Sequence, residues 1–124
     1  MEKEGFVSLF IGNFKSYKDL QNYILNSYTE DGDLLPSEFE KDFNIDYYNE
    51  DFREVEFYDE PSNDLRVLLE GFSYDEEIIP KFIELCGERL NQEMNSVILL
   101  YNFQYNGHVN EKNQFRFLGT VQYK

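Results

Sequence analysis

With 124 residues, 41% of them hydrophobic and 18% aromatic, the chain has apolar material for one packed domain, and its mean hydropathy of −0.62 comes from added charge. That composition argues against disorder. Its 25 Asp and Glu outweigh 11 Lys and Arg, and the net charge of −14 repels nucleic-acid phosphates and anionic membranes, which disfavours roles on DNA or at a membrane surface.

Residues 6–11 are an apolar run of strand formers that stops at Gly12-Asn13, a pair suited to a turn, so a central first strand is expected. Ser16 caps a helix whose apolar positions Tyr17, Leu20, Tyr23, Ile24 and Leu25 recur three and four apart. Glu30-Asp31-Gly32-Asp33 breaks that pattern, and Ser37 with Glu40 three residues later is a capping box opening a short helix over 38–43. Alternation over 54–58 puts Val55 and Phe57 on one face and two carboxylates on the other, which predicts a strand with one wet side.

Ser62 caps a short helix through Leu68 and Leu69, ended by Gly71, and Phe72-Ser73-Tyr74 is a connector. The next helix starts near Ile79, with Pro80 in its first turn and Phe82, Ile83, Leu85, Cys86 and Leu90 on one face. Residues 96–103 and 115–123 are the last strands, expected to pair as an antiparallel hairpin closed at Asn106-Gly107 or within 110–113. The second option, which leaves His108 inside a longer loop, is preferred. The order of elements predicts an α+β fold, a mixed four-stranded sheet with helices packed over it and an antiparallel C-terminal hairpin, in one domain spanning 1–124.

Little in the chain points to catalysis. Cys86 is the only cysteine and reads as a core thiol; His108 is the only histidine, so a site with two imidazole ligands is impossible and any triad would rest on one loop residue. Glu30-Asp31-Gly32-Asp33 lacks the alternation and distant Glu of a calcium loop, and Gly12-Asn13-Phe14-Lys15-Ser16 lacks the glycines of a phosphate-binding loop. No catalytic, cofactor-binding or metal-binding residue is assigned, and the chain is read as a non-enzyme. The N-terminus lacks signal-peptide character and no apolar run is long enough to span a bilayer, so a cytoplasmic location is expected.

The acid is uneven. Residues 30–60 hold 13 Asp and Glu against Lys41 and Arg53, a net of −11, whereas residues 95–124 carry a net of +2. Within the acidic stretch Phe39 and Phe43 suit a core-facing helix side, and some of Tyr47, Tyr48, Phe52, Phe57 and Tyr58 should reach the surface. Carboxylates mixed with rigid rings suit a basic protein partner, the charge speeding encounter and the rings supplying desolvated area. A solvated acidic face that keeps the protein soluble is the plainer alternative.

Val7-Ser8-Leu9-Phe10-Ile11-Gly12-Asn13-Phe14, Glu30-Asp31-Gly32-Asp33, Ser37-Glu38-Phe39-Glu40-Lys41-Asp42-Phe43 followed by Ile45, Tyr48-Asn49-Glu50-Asp51-Phe52, Gly71-Phe72-Ser73-Tyr74 and Val97-Ile98-Leu99-Leu100-Tyr101 form a set of blocks. Together they resemble the immunity protein 22 family of bacterial polymorphic toxin systems. Phe10 stands where many relatives carry tryptophan. The resemblance implies a small α+β cytoplasmic protein that neutralises a cognate toxin without catalysis and needs no cofactor. The charge adds the hypothesis that the toxin is a basic nuclease. Candidate contacts are Asp31, Asp33, Asp46, Glu50, Asp51, Glu54 and Glu56, with Tyr47, Tyr48 and Tyr58 as aromatic anchors. An adaptor binding another basic protein through the same residues is the alternative.

Overall fold

Alternation within the first strand, β1 (Glu2–Gly12), sets the architecture of the computed structural model, which describes residues 1–124. Val7, Leu9 and Ile11 enter one core and Phe10 the other, all wholly buried, so the strand needs cover on both sides. Ser8 is buried too, and its hydroxyl donates to Phe103 O at 2.9 Å and accepts from Tyr105 N at 3.0 Å. The remaining elements are α1 (Tyr17–Ile24), β2 (Ser27–Tyr28), β3 (Leu34–Leu35), α2 (Glu38–Phe43), a 3₁₀ turn (Glu50–Phe52), β4 (Arg53–Asp64), α3 (Leu65–Leu69), α4 (Asp75–Cys86), β5 (Arg89–Phe103), β6 (Glu111–Lys112) and β7 (Phe115–Gln122).

The fold is α+β. Its main sheet runs β4-β5-β1-β7-β6, and β2 and β3 form a separate hairpin. The four expected strands are present, joined by the two-residue β6 as a fifth, and every pairing is antiparallel rather than mixed. β5 and β7 do not pair with each other as expected. β1 lies between them, with Ser8 opposite Leu100 on one side and Thr120 on the other. A strand apolar on both faces is best used at the centre, where both its edges are hydrogen-bonded. The C-terminal hairpin is instead β6–β7, closed at Asn113-Gln114 with Asn113 at φ 57°, while His108 is exposed in the preceding loop.

Three other boundaries move. Asp64, not Ser62, caps α3, its side chain accepting from Arg66 N at 2.9 Å, and β4 therefore runs on through Ser62. α4 starts at Asp75, so Pro80 sits inside it; Asp75, Glu76 and Glu77 in the first turn complement the positive helix end. β5 begins at Arg89, which places Leu90 on a strand, buried all the same. Gly12 is not a turn residue: it ends β1 between Ser96 and Phe115.

Two cores result. α3 and α4 cover Val7, Leu9, Ile11, Val97 and Leu99 with Leu65, Leu68, Ile78 and Phe82. α1 and α2 cover Phe10, Ile98 and Leu100 with Leu20, Phe39 and Phe43. The capping box of α2 forms as expected, with Ser37 Oγ accepting from Glu40 N at 3.1 Å. The buried Glu40 carboxylate accepts from Ser37 N and Ser37 Oγ, both at 3.0 Å, and from Asn26 Nδ2. Glu40→Ala removes all three at once and is expected to cost about 2 kcal/mol, from a lost cap and buried donors left unpaired. Thermal melting checks this; an unchanged midpoint would show that water replaces the carboxylate.

Candidate protein-binding surface

The ten candidate contacts fall on three parts of the fold. Asp31 and Asp33 lie at the tip of the β2–β3 hairpin, in a turn built by its own chemistry. Thr29 N donates to Asp33 O at 2.9 Å, Gly32 N to Thr29 O at 3.0 Å and Asp33 N to Thr29 Oγ1 at 3.0 Å. Gly32 takes φ +87°, the left-handed region that a residue with a Cβ enters at a cost. At the base, Asn26 Nδ2 also donates to Leu35 O at 3.2 Å, tying the hairpin to the Glu40 cap.

Asp46, Tyr47, Glu50 and Asp51 are exposed on the connection from α2 to β4. Tyr47 is 62% exposed and fits the anchor role, but Tyr48, expected beside it at the surface, is only 6% exposed. Tyr48 belongs to the α1–α2 core, with the rings of Phe39 and Phe103 at 6.1 and 6.5 Å, while Arg53 Nη1 donates to its Oη at 2.8 Å and the guanidinium lies 5.8 Å from the ring centre. Burial pushes the Tyr48 hydroxyl pKa up even against that cation. Phe52, 45% exposed, joins Tyr47, Glu2, Glu4 and Tyr101 around a cleft of ≈ 340 Å³. Glu2 and Glu4 come from the start of β1, so only the folded chain places them beside Tyr47.

Glu54, Glu56 and Tyr58 occupy the α3–α4 side of β4, because Val55 and Phe57 take the other side as the alternation predicts. The Glu54 carboxylate accepts from Ser73 N at 2.9 Å and from Ser73 Oγ, so it braces the turn before α4. Tyr58 is half-buried; its hydroxyl donates to Leu68 O at 2.8 Å, and burial, reinforced by Glu56 and Glu70, pushes its pKa up to about 12. Glu56 remains exposed and shares a shallow cleft with Glu70.

The acidic stretch does not form one flank. α2, with Glu38 and Asp42, lies over the opposite core from Glu54 and Glu56; Asp42 there accepts from Tyr23 Oη at 2.8 Å and Asn113 Nδ2 at 2.7 Å. None of the ten candidates is in an ion pair, since the four salt bridges join Lys41 to Glu38, Arg66 to Glu88, Lys81 to Glu77 and Arg89 to Asp64.

One group of exposed apolar residues was not foreseen. Leu25, Tyr28, Leu34 and Leu35 line the hairpin and its base, at 64%, 68%, 51% and 41% exposure. The available signal was Leu34-Leu35 directly before Pro36, an apolar pair outside any periodic face. Cys86 is half-buried with Sγ 3.6 Å from Leu118 O, and burial pushes its thiol pKa up. No three His, Cys, Asp or Glu side chains gather to hold a metal, and no helix is long and apolar enough to cross a membrane.

No curated protein and no solved structure matches the chain. The family model for Immunity protein 22 matches residues 7–124, from the core of β1 through β7, and so takes in both cores, the hairpin and the connection bearing Tyr47. On that match the chain belongs to the immunity protein 22 family.

Proposed function

We propose that this protein is a cytoplasmic, non-catalytic immunity protein that binds a cognate bacterial toxin and neutralises it. The family match over 7–124 carries the reading. Exposed rings beside unpaired carboxylates support it further, because Tyr47 and Phe52 border Glu2 and Glu4 in one cleft. Such a cleft suits a lysine or arginine side chain, held by ring faces and carboxylates together. The toxin is then a basic domain, and a nuclease fits because its phosphate-holding groove is cationic. The acidic groups act in two ways: those at the interface pair with cations, while the others raise the encounter rate through the field of a −14 molecule.

Survival of cells producing the neighbouring toxin gene only when this chain is co-expressed is the direct test; killing despite its presence refutes the reading. For the purified pair, raising ionic strength from about 0.01 to 0.1 M shortens the screening length from about 30 to 10 Å. Association is expected to slow by about tenfold, with dissociation nearly unchanged. Stopped-flow kinetics measure both, and a salt-independent association rate would remove the charge-steered mechanism.

A further inference from the structure

The β2–β3 hairpin is held in shape but buries almost nothing. From Ser27 to Pro36 every residue is exposed apart from Thr29, which is half-buried. Tyr28 and Leu34 are cross-strand partners, so their side chains share one face of a two-stranded ribbon that no third strand or helix covers. An isolated ribbon of this size is marginal in water. Here the turn bonds of Thr29 and the Asn26 bridge to Leu35 and Glu40 fix it at tip and base. Exposed apolar area on a pre-shaped element is the signature of a contact surface whose ordering cost has already been met.

Charge selects the occupant. Glu30, Asp31 and Asp33 crown the arm, and none has an ion-pair partner within the chain. Docking two copies arm to arm would bring these tips and two −14 molecules together, so a second copy is disfavoured. We infer that this hairpin is the principal docking arm for the toxin, seated in an apolar recess of the toxin that is bordered by lysine or arginine side chains. The inference rests on the toxin-binding function proposed above. Tyr28 and Leu34 supply desolvated contact area, and the three carboxylates meet the cationic border, fixing register and speeding encounter.

The test uses the full chain and the purified C-terminal toxin domain encoded by the adjacent gene. Three paired variants are compared with the parent: Tyr28→Ala with Leu34→Ala, Asp31→Lys with Asp33→Lys, and Glu76→Lys with Glu84→Lys. The last pair makes the same charge change at exposed positions of α4. Because all six positions are exposed, and the loss of Glu76 from the first turn of α4 is offset by the lysine that Glu84→Lys places in its last turn, melting temperatures are expected to stay close to the parent's. The Tyr28/Leu34 pair is expected to raise Kd by about 30-fold or more, mainly through faster dissociation. The Asp31/Asp33 pair is expected to weaken binding well beyond the Glu76/Glu84 pair. Binding by the parent with both arm pairs within about twofold of it overturns the docking arm alone. Equal effects of the two charge reversals overturn the local role of the tip. Self-association that disappears in the Tyr28/Leu34 variant, read by sedimentation, assigns the arm to a second copy and overturns the inference. Failure of the parent to bind the toxin overturns the proposed function itself.

Discussion

Phe10→Ala is expected to destabilise the protein by about 3–5 kcal/mol, the range for removing a buried aromatic ring. Phe10 is wholly buried at the centre of the α1–α2 core, with the rings of Phe39, Phe43, Tyr105 and Phe117 at centroid distances of 5.0, 5.1, 5.4 and 5.2 Å. Those rings come from α2, β7 and the loop after β5, and each is fixed by other contacts. Tyr105 Oη, for example, donates to Phe43 O at 3.0 Å or Val109 O at 2.9 Å. The surroundings therefore cannot collapse into the space left behind. Since domains are stable by only about 5–15 kcal/mol, the loss is a large share of the total. Urea unfolding reads it as a shift in midpoint at constant slope; a loss below about 1 kcal/mol would mean that the core refills the cavity.

Gly12→Ala is expected to cost about 3 kcal/mol, at the upper end for forcing atoms into a filled site. A Cβ on Gly12 would stand 2.0 Å from Gln114 O and 2.6 Å from Phe115 Cδ2. The first of these cannot step aside, because Gln114 O accepts the hydrogen bond from Asn13 N at 3.2 Å that follows the last β1–β7 pair. Relief requires β1 and β7 to part at Gly12 and Phe115, loosening a side chain that is itself wholly buried. The same unfolding measurement applies, and hydrogen exchange should show lost protection at Asn13. A variant as stable as the parent would mean that the two strands have slack there.

The local grammar of the chain was legible, and its long-range pairing was not. The α2 capping box and the Val55/Phe57 alternation each depend on residues within a few positions, and each appears as read. Gly12 shows the limit: a glycine before an asparagine signals a turn, yet its reason here is the approach of a carbonyl about a hundred residues away. The pairing of β5 with β7 failed for the same reason, since adjacency in the chain is a weak guide once a third strand competes for both edges. At the candidate surface, the charge and the exposure of Tyr47 could be read from the sequence. The burial of Tyr48 could not, because it depends on Phe39 and Phe103 being brought against its ring from α2 and β5. Nor could the exposure of Tyr28 and Leu34, whose apolar side chains resemble core material until the hairpin is seen to stand uncovered.

The place of β1 between β5 and β7 has a consequence in time. Its two neighbours on the sheet are contributed by residues 96–103 and 115–122, so the strand made early must wait for segments made late. At roughly 5 to 20 residues per second, the roughly 110 residues separating Ser8 from Thr120 occupy the ribosome for about 5 to 20 s. Until the last of them is made the oily segment lacks a mate on at least one edge, and no shorter version of the sheet is closed around it. Closure of the sheet is thus all or nothing per polypeptide: a chain broken off before β7 leaves β1 with one bare edge, and each copy must be finished before its central strand is paired on both sides.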